Sequence, residues 1–213
     1  MKRLLCFFIL GTMLLGACKA QQAEDASQES IVIRDALDHQ VTLPSTPQRI
    51  VAIGKGLFMI VDAAYIFPEA PARMVGMGDA GQGSSNFIAL IDPDYESKAV
   101  LADAGAEQVA ALKPDLVLMK SYLAETVGKP IEQIGIPVVY VDFETPEQYD
   151  RDLAILGQVF QNPARAAETA AYFQDKIGQI QQSIGEETAK PRVLMLYYND
   201  KDGSVAFNVP PAA

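Results

Sequence analysis

The feature that most limits the fold is an alternation of short apolar runs and helical stretches between residues 49 and 160. The runs are RIVAI from Arg49, RMVGM from Arg73, LVLM from Leu116 and VVYV from Val138. They are almost continuously apolar, as strands buried on both faces of a sheet must be. Helical patterns separate them, from Leu57 to about Phe67, from Ala106 to Lys113 and from Thr126 to Gln133. Gly135 and Pro137 stop the last of these. Thr145 then opens a further helix: it can cap free amides, Pro146 loses nothing at the first helical position, and Gln148 can close a capping box. Tyr149, Leu153, Leu156 and Phe160 follow at steps of four, three and four, which places them on one face. Strand and helix in alternation over this length predict an α/β protein, a Rossmann-like layered parallel sheet covered on both sides.

A second helical stretch runs from Asn162 to about Glu187. Asn162 is a good cap and Pro163 a good first residue. Phe173, Ile177, Ile180 and Ile184 form a narrow apolar stripe on an otherwise polar helix of roughly 39 Å, at about 1.5 Å per residue. Periodicity allows two readings, a spine between two lobes or an amphipathic helix packed on its own domain. Beyond it lie VLMLYY from Val193, a strand candidate, and VPPAA from Val209, which has no periodic pattern.

Charge and composition exclude several functions. The formal net charge is -10, and the 17 Lys and Arg are scattered without a basic, aromatic-rich patch, which argues against nucleic acid. One histidine and two cysteines leave no His/Cys metal cluster. His39 falls in the polar turn between IVI from Ile31 and VTL from Val41, a predicted hairpin.

The N-terminus reads as a processing signal. Lys2 and Arg3 precede an apolar segment, Leu4 to Leu15, that is too short for a comfortable membrane span. It ends in Leu15, Gly16, Ala17 and Cys18, which resembles the bacterial lipobox, where the thiol is acylated and the chain is cut just before it. Residues 1–17 are thus expected to be a lipoprotein signal peptide, Cys18 to carry the lipid (a palmitate-type anchor), and residues 18–30 to be a flexible tether.

In parallel α/β sheets ligands sit beyond the carboxyl ends of the strands. The exits here are Gly54 to Gly56, Gly78 to Asn86, Lys120 to Tyr122 and Asp142 to Glu144. The glycines at 54 and 56 fall short of a phosphate-binding GxxxxGK[ST] loop. Ser84 and Ser85 have no neighbouring histidine to activate them, and Asp142 with Glu144 lacks a nominated acid–base partner. The rim carries groups for binding rather than a catalytic set, so no enzyme is expected.

The order of VIRDALDHQVTLP, PQRIVAIG, AEQVAALKPDLVLMKSY, IGIPVVYVDFETPEQY and KPRVLML resembles the periplasmic substrate-binding proteins of iron-siderophore, haem and cobalamin ABC importers, whose two lobes are joined by a rigid helix. The ALKPDLV and RIVA segments are its most specific marks. The resemblance implies a non-catalytic, lipid-anchored receptor in the cell envelope that faces the periplasm or the exterior. It would need no cofactor or resident metal, and would pass a metal chelate to a permease and its ATPase. It implies an N-terminal lobe at 31–161, a spine helix at 162–187 and a truncated start of the second lobe at 188–213. Lys55, Phe87, Lys120, Tyr122 and Phe143 become candidate ligand contacts, and Glu107 matches the acid that docks on the permease. With half of the cleft missing, a membrane-tethered protein-interaction domain, or a non-functional truncated receptor, is the alternative.

Overall fold

Strand β3 (Ile50–Ile53) is buried on both faces and paired on both edges, in parallel with β4 (Met74–Gly78) and with β6 (Leu116–Lys120). A computed structural model describes residues 30–79, 87–102, 105–185, 197–199 and 206–208. It adds β5 (Ala99–Leu101) beside β4 and β7 (Val138–Val141) beside β6, in the order β5-β4-β3-β6-β7. All four pairings are parallel. The predicted parallel α/β sheet is present, and its strand order reverses direction between β3 and β6.

Successive strand residues face opposite sides. Val51, Ile53, Val117, Met119, Val138 and Tyr140 meet Val109 and Ile131, from α4 (Ala106–Ala111) and α5 (Lys129–Gln133). Residues of the other parity are equally buried, and α1 (Leu57–Ala64) packs against β3 and β6. Along α6 (Pro146–Val159), Leu153 and Leu156 are buried and Phe160 follows them. Phe160 stacks on Phe67, with ring centroids 5.0 Å apart. The capping box forms as expected, with Gln148 N donating to Thr145 Oγ1 at 3.3 Å and Thr145 N to Gln148 Oε1 at 3.2 Å.

The two most specific sequence segments turn out to be partners. Asp115 of ALKPD accepts the Gln48 and Arg49 amides at 2.7 and 2.9 Å, while the Arg49 guanidinium donates to the Leu112 and Lys113 carbonyls at 2.7 and 3.1 Å. This clasp aligns the starts of β3 and β6, the end of the sheet opposite the strand exits. The hairpin of β1 (Ile31–Arg34) and β2 (Gln40–Leu43) is as expected, and its turn covers the β7 edge, where Ala36 N donates to Tyr140 O at 2.9 Å.

Several elements depart from expectation. Between β3 and β4 the first helix ends at Ala64 rather than near Phe67, and a short helix α2 (Ala70–Arg73) follows. Helix α3 (Phe87–Ile91), a 3₁₀ turn (Tyr95–Ser97) and β5 were not anticipated; β5 has only three residues and a half-exposed edge, which leaves no periodic signature. The helix expected over 126–133 is instead a 3₁₀ turn (Ser121–Leu123), a π-helical turn (Ala124–Gly128) and then α5. Pro130 has no amide to donate to the preceding turn, so a regular α-helix cannot run through it.

The chain divides into two compact units, residues 1–167 and 168–213. Helix α7 (Pro163–Ile184) begins in the first unit, with Asn162 Oδ1 accepting from Arg165 N at 3.1 Å, and continues into the second. In the second unit β8 (Tyr197–Asn199) pairs antiparallel with β9 (Ala206–Asn208). The rest of the VLMLYY run, the VPPAA end and the signal and tether segments lie outside the described residues. No helix among the described residues is long and apolar enough to cross a membrane.

Packing around Gly128 leaves no room for a side chain. A Cβ built there would lie 2.8 and 2.9 Å from Tyr140 Cζ and Cε1, and closer still to its hydroxyl. Gly128→Ala is expected to lower unfolding stability by about 1–3 kcal/mol in urea titrations, and Tyr140→Phe in the same chain to recover part of that loss. A loss under about 0.5 kcal/mol would mean that the turn shifts freely.

Candidate functional site

The strand exits meet at the rim above the β3–β6 reversal. Gly54 and Gly56 adopt φ of 111° and 65°, conformations that side chains rarely tolerate, and they turn the backbone sharply so that Lys55 projects, exposed, between β3 and α1. Across the reversal, Tyr122 follows β6 and its hydroxyl donates to Lys55 O at 3.1 Å. Burial first and the Glu144 carboxylate second push the Tyr122 phenol up from its ordinary value, so at neutral pH it is a proton donor. A cavity of about 480 Å³ opens here, lined by Lys55, Asp79, Ala102, Leu123 and Val127 among others. Its volume is that of a small-molecule site.

Two of the candidate contacts take another part. Lys120 is completely buried: its ammonium donates to the Asp142 carbonyl and to Glu144 Oε1 at 2.6 Å, and lies 3.5 Å from Met59 Sδ. Phe143 is also buried. Its ring stands edge-on to Tyr149, with centroids 5.6 Å apart, and lines a different cavity on the flank of the sheet. Phe87 begins α3, and its side chain lies outside the described residues. Glu107 is exposed in the first turn of α4, on a segment adjoining the rim cavity through Gly105 and Ala106. Ser84 and Ser85 lie outside the described residues.

Asp152 and Arg151, which sequence reasoning passed over, hold the β7 exit in place. Asp152, fully buried on α6, accepts the Asp142 and Phe143 amides at 2.6 and 2.8 Å and Arg151 Nε at 2.7 Å. These bonds hold Phe143 at φ 58°, a left-handed conformation that costs a non-glycine residue roughly 1–2 kcal/mol. Arg151 also reaches Asp142 Oδ2 at 2.7 Å. One signal was available: a carboxylate beside Leu153, three residues after Tyr149, stands on the apolar side of an amphipathic helix.

Desolvation pushes the Asp142 carboxyl up, but the Ser121 hydroxyl, Arg151 and the Ser121 amide together outweigh it and hold it below its ordinary value. Asp142 and Glu144 are thus committed to internal partners, unlike a free acid–base pair. Among the described residues, no group of three or more His, Cys, Asp or Glu is placed to hold a metal ion.

The chain belongs to the periplasmic binding protein family, whose profile matches residues 73–208, more than half of its length. That family is one of non-catalytic binding proteins. The chain is 28% identical over 155 residues to the vitamin B12-binding protein of Pectobacterium carotovorum, covering 65% of this chain and 55% of that one. It is 28% identical over 164 residues to the molybdate-binding protein MolA of Haemophilus influenzae, covering 75% and 43%. A periplasmic solute-binding protein from Veillonella parvula has the same fold, with a TM-score of 0.60 and 26% identity over 72% of this chain and 48% of that one. The chain spans about half the length of the curated relatives it matches.

The Asp142 pairing has a pH signature. A carboxyl held below its ordinary value stabilises the fold above that value, here about 3.8, and the contribution is lost as pH falls through the lowered one. Asp142→Asn is expected to cost about 1–3 kcal/mol at pH 7 in urea unfolding, and the difference from wild type to shrink in strong acid. A difference that stays constant down to about pH 2 would show that the charge contributes nothing.

Proposed function

We propose that this chain is the ligand-capturing component of an ABC importer, taking up an iron-siderophore-type chelate or a related haem or cobalamin ligand. The observation that carries this reading is the cavity above the β3–β6 reversal, where an exposed cation and an adjacent phenol stand in a family of solute-binding proteins. Lys55 and Tyr122 meet the ligand's oxygens, and Phe87 covers an apolar face. Lys120 and Phe143 act from beneath by fixing the β7 exit. Residues 31–161 serve as one lobe, 162–187 as the spine helix and 188–213 as the start of a second lobe. B12- and molybdate-binding relatives support a small, metal-containing ligand. Calorimetric titration with ferric siderophores, haem, cobalamin and molybdate tests the assignment, on this chain and on the chain extended by a second lobe. One ligand is expected to bind more tightly than about 100 μM, or about -5.5 kcal/mol, and Lys55→Ala to weaken it about tenfold. Failure of every ligand against the extended chain would overturn the reading.

The membrane side of the proposal places a lipid on Cys18 and gives Glu107 to the permease. Both are tested on one preparation of permease-containing membranes. Cys18→Ser is expected to take up no labelled palmitate and to leave the membrane pellet. Glu107→Gln, in the extended chain, should fold and bind ligand normally yet associate more weakly at low salt, because an exposed charge chiefly governs encounter. Continued labelling removes the lipid assignment, and equal association at low salt removes the docking one.

A further inference from the structure

A lysine ammonium has three protons to donate, and that of Lys120 has three partners. They are the Asp142 carbonyl, Glu144 Oε1 at 2.6 Å and Met59 Sδ at 3.5 Å. Two of these acceptors are oxygens. The third is a thioether, among the weakest acceptors that a side chain offers. Lys120 is completely buried, and a buried cation is stabilised by its hydrogen bonds rather than by water. The sulfur is therefore the one poorly matched contact of the cation that holds the β7 exit in place.

Met59 also stands apart from the other methionines among the described residues. Met74, Met77 and Met119 are buried, at most 6% exposed. Met59, on α1, is half-buried and lines the flank cavity with Phe58, Ile66, Phe143 and Tyr149. The cavity has a volume of about 360 Å³, ample for a peroxide, which is little larger than a water molecule. One added oxygen would change the match to Lys120, because a sulfoxide is polar where a thioether is not. Methionine is unbranched and flexible, so a turn about its Cγ–Sδ bond exchanges the places of the methyl group and a new oxygen.

We infer that Met59 is a site of reversible oxidation by a peroxide, and that the Lys120 ammonium holds the sulfoxide. The sulfur lone pair attacks one oxygen of hydrogen peroxide, and the O–O bond breaks as the S–O bond forms. The departing hydroxide takes the proton of the transferred oxygen and leaves as water. Sulfur loses two electrons and the peroxide gains them. In the return step a sulfoxide reductase consumes two thiols, which become a disulfide while the oxygen leaves as water. One sulfur lone pair is turned to Lys120, so the oxidant takes the other and a single epimer forms. The new oxygen then replaces the sulfur as acceptor of the third Lys120 proton. Oxidation at the flank is thereby felt by the cation that also binds Asp142 and Glu144. The inference does not rest on the chelate reading and involves no ligand.

The test treats the full chain, with isotope-labelled lysine, with hydrogen peroxide and follows its peptides by mass spectrometry. Met59 is expected to gain one oxygen about tenfold faster than Met74, Met77 or Met119. Sulfoxide reductases act on one epimer each, so one of the two kinds, acting alone, should restore the thioether completely. The Lys120 ammonium nitrogen signal should shift with oxidation and return on reduction. In Met59→Leu, a swap of similar volume, peroxide should leave that signal in place. Should the variant fail to fold, Lys98 is the control within the wild-type chain, because its buried ammonium meets only oxygens, of Pro71, Met74 and Asp92, and its signal should stay still. Met59 oxidising no faster than the buried methionines, a product that needs both reductases, or an unmoved Lys120 signal would each overturn the inference. An equal shift at Lys98 would overturn it too, by showing a general loosening of the fold. No ligand enters the measurement, so failure of every chelate to bind leaves these outcomes unaffected.

Discussion

The parallel pairing of β3 with β6 is the constraint on which the rest of the structure depends. Residues 50–53 and 116–119 match one to one, and both strands are buried on both faces, so neither can slip without moving its whole apolar set. At one end the Arg49–Asp115 clasp sets the register with hydrogen bonds between segments more than sixty residues apart. At the other end the chains from the two strands diverge. The space left there is the rim cavity, and the chain segments after the two strands are joined by the Tyr122 to Lys55 hydrogen bond. A clasp below and a gap above follow from the same reversal in strand order.

Charge enters this apolar framework at several points where hydrogen bonds and ion pairs answer it. Lys120 brings an ammonium to the end of a buried strand, and the Asp142 carbonyl with Glu144 receives it. Asp152 brings a carboxylate to the buried face of α6, and two amides and Arg151 receive that. A similar group lies under the far edge of the sheet. There Lys98 donates to the Pro71 and Met74 carbonyls at 2.6 and 2.7 Å and pairs with Asp92, which accepts the Tyr65 hydroxyl at 2.6 Å. Satisfied groups of this kind stiffen a loop, because each hydrogen bond lost leaves a buried polar atom unmet. Three buried carboxylate oxygens among the described residues, Asp35 Oδ2, Asp62 Oδ1 and Glu69 Oε2, have no hydrogen-bond partner.

Much of the fold was legible because its signals are local. Buried parallel strands read as unbroken apolar runs, and four of the five in the sheet did so. The cap at Thr145 and the start at Asn162 depend on side chains within three residues of the amides they meet. The helix over 126–133 was misread because its period was interrupted by packing as well as by Pro130: Gly128 lies beneath Tyr140, a residue of a later strand. Strand β5 and helix α3 were missed because so few residues cannot display a period.

The sequence by itself determined the α/β class and which residues follow the strands of the parallel sheet. Those properties depend on residue type and short spacing. Tertiary structure alone decided what each exit residue does. Lys55 and Tyr122 stay at the rim, while Lys120 and Phe143 turn inward. The sequence places all four after strands and cannot tell them apart, because burial depends on partners from other elements. The Lys120 ammonium is received 22 and 24 residues away by Asp142 and Glu144, and the Phe143 ring is enclosed with Met59 and Tyr149. Which side of the sheet a side chain joins is set by strand parity and crossover direction. Asp62 therefore became a wall of a cavity only when α1 and α6 came to lie side by side on the same face.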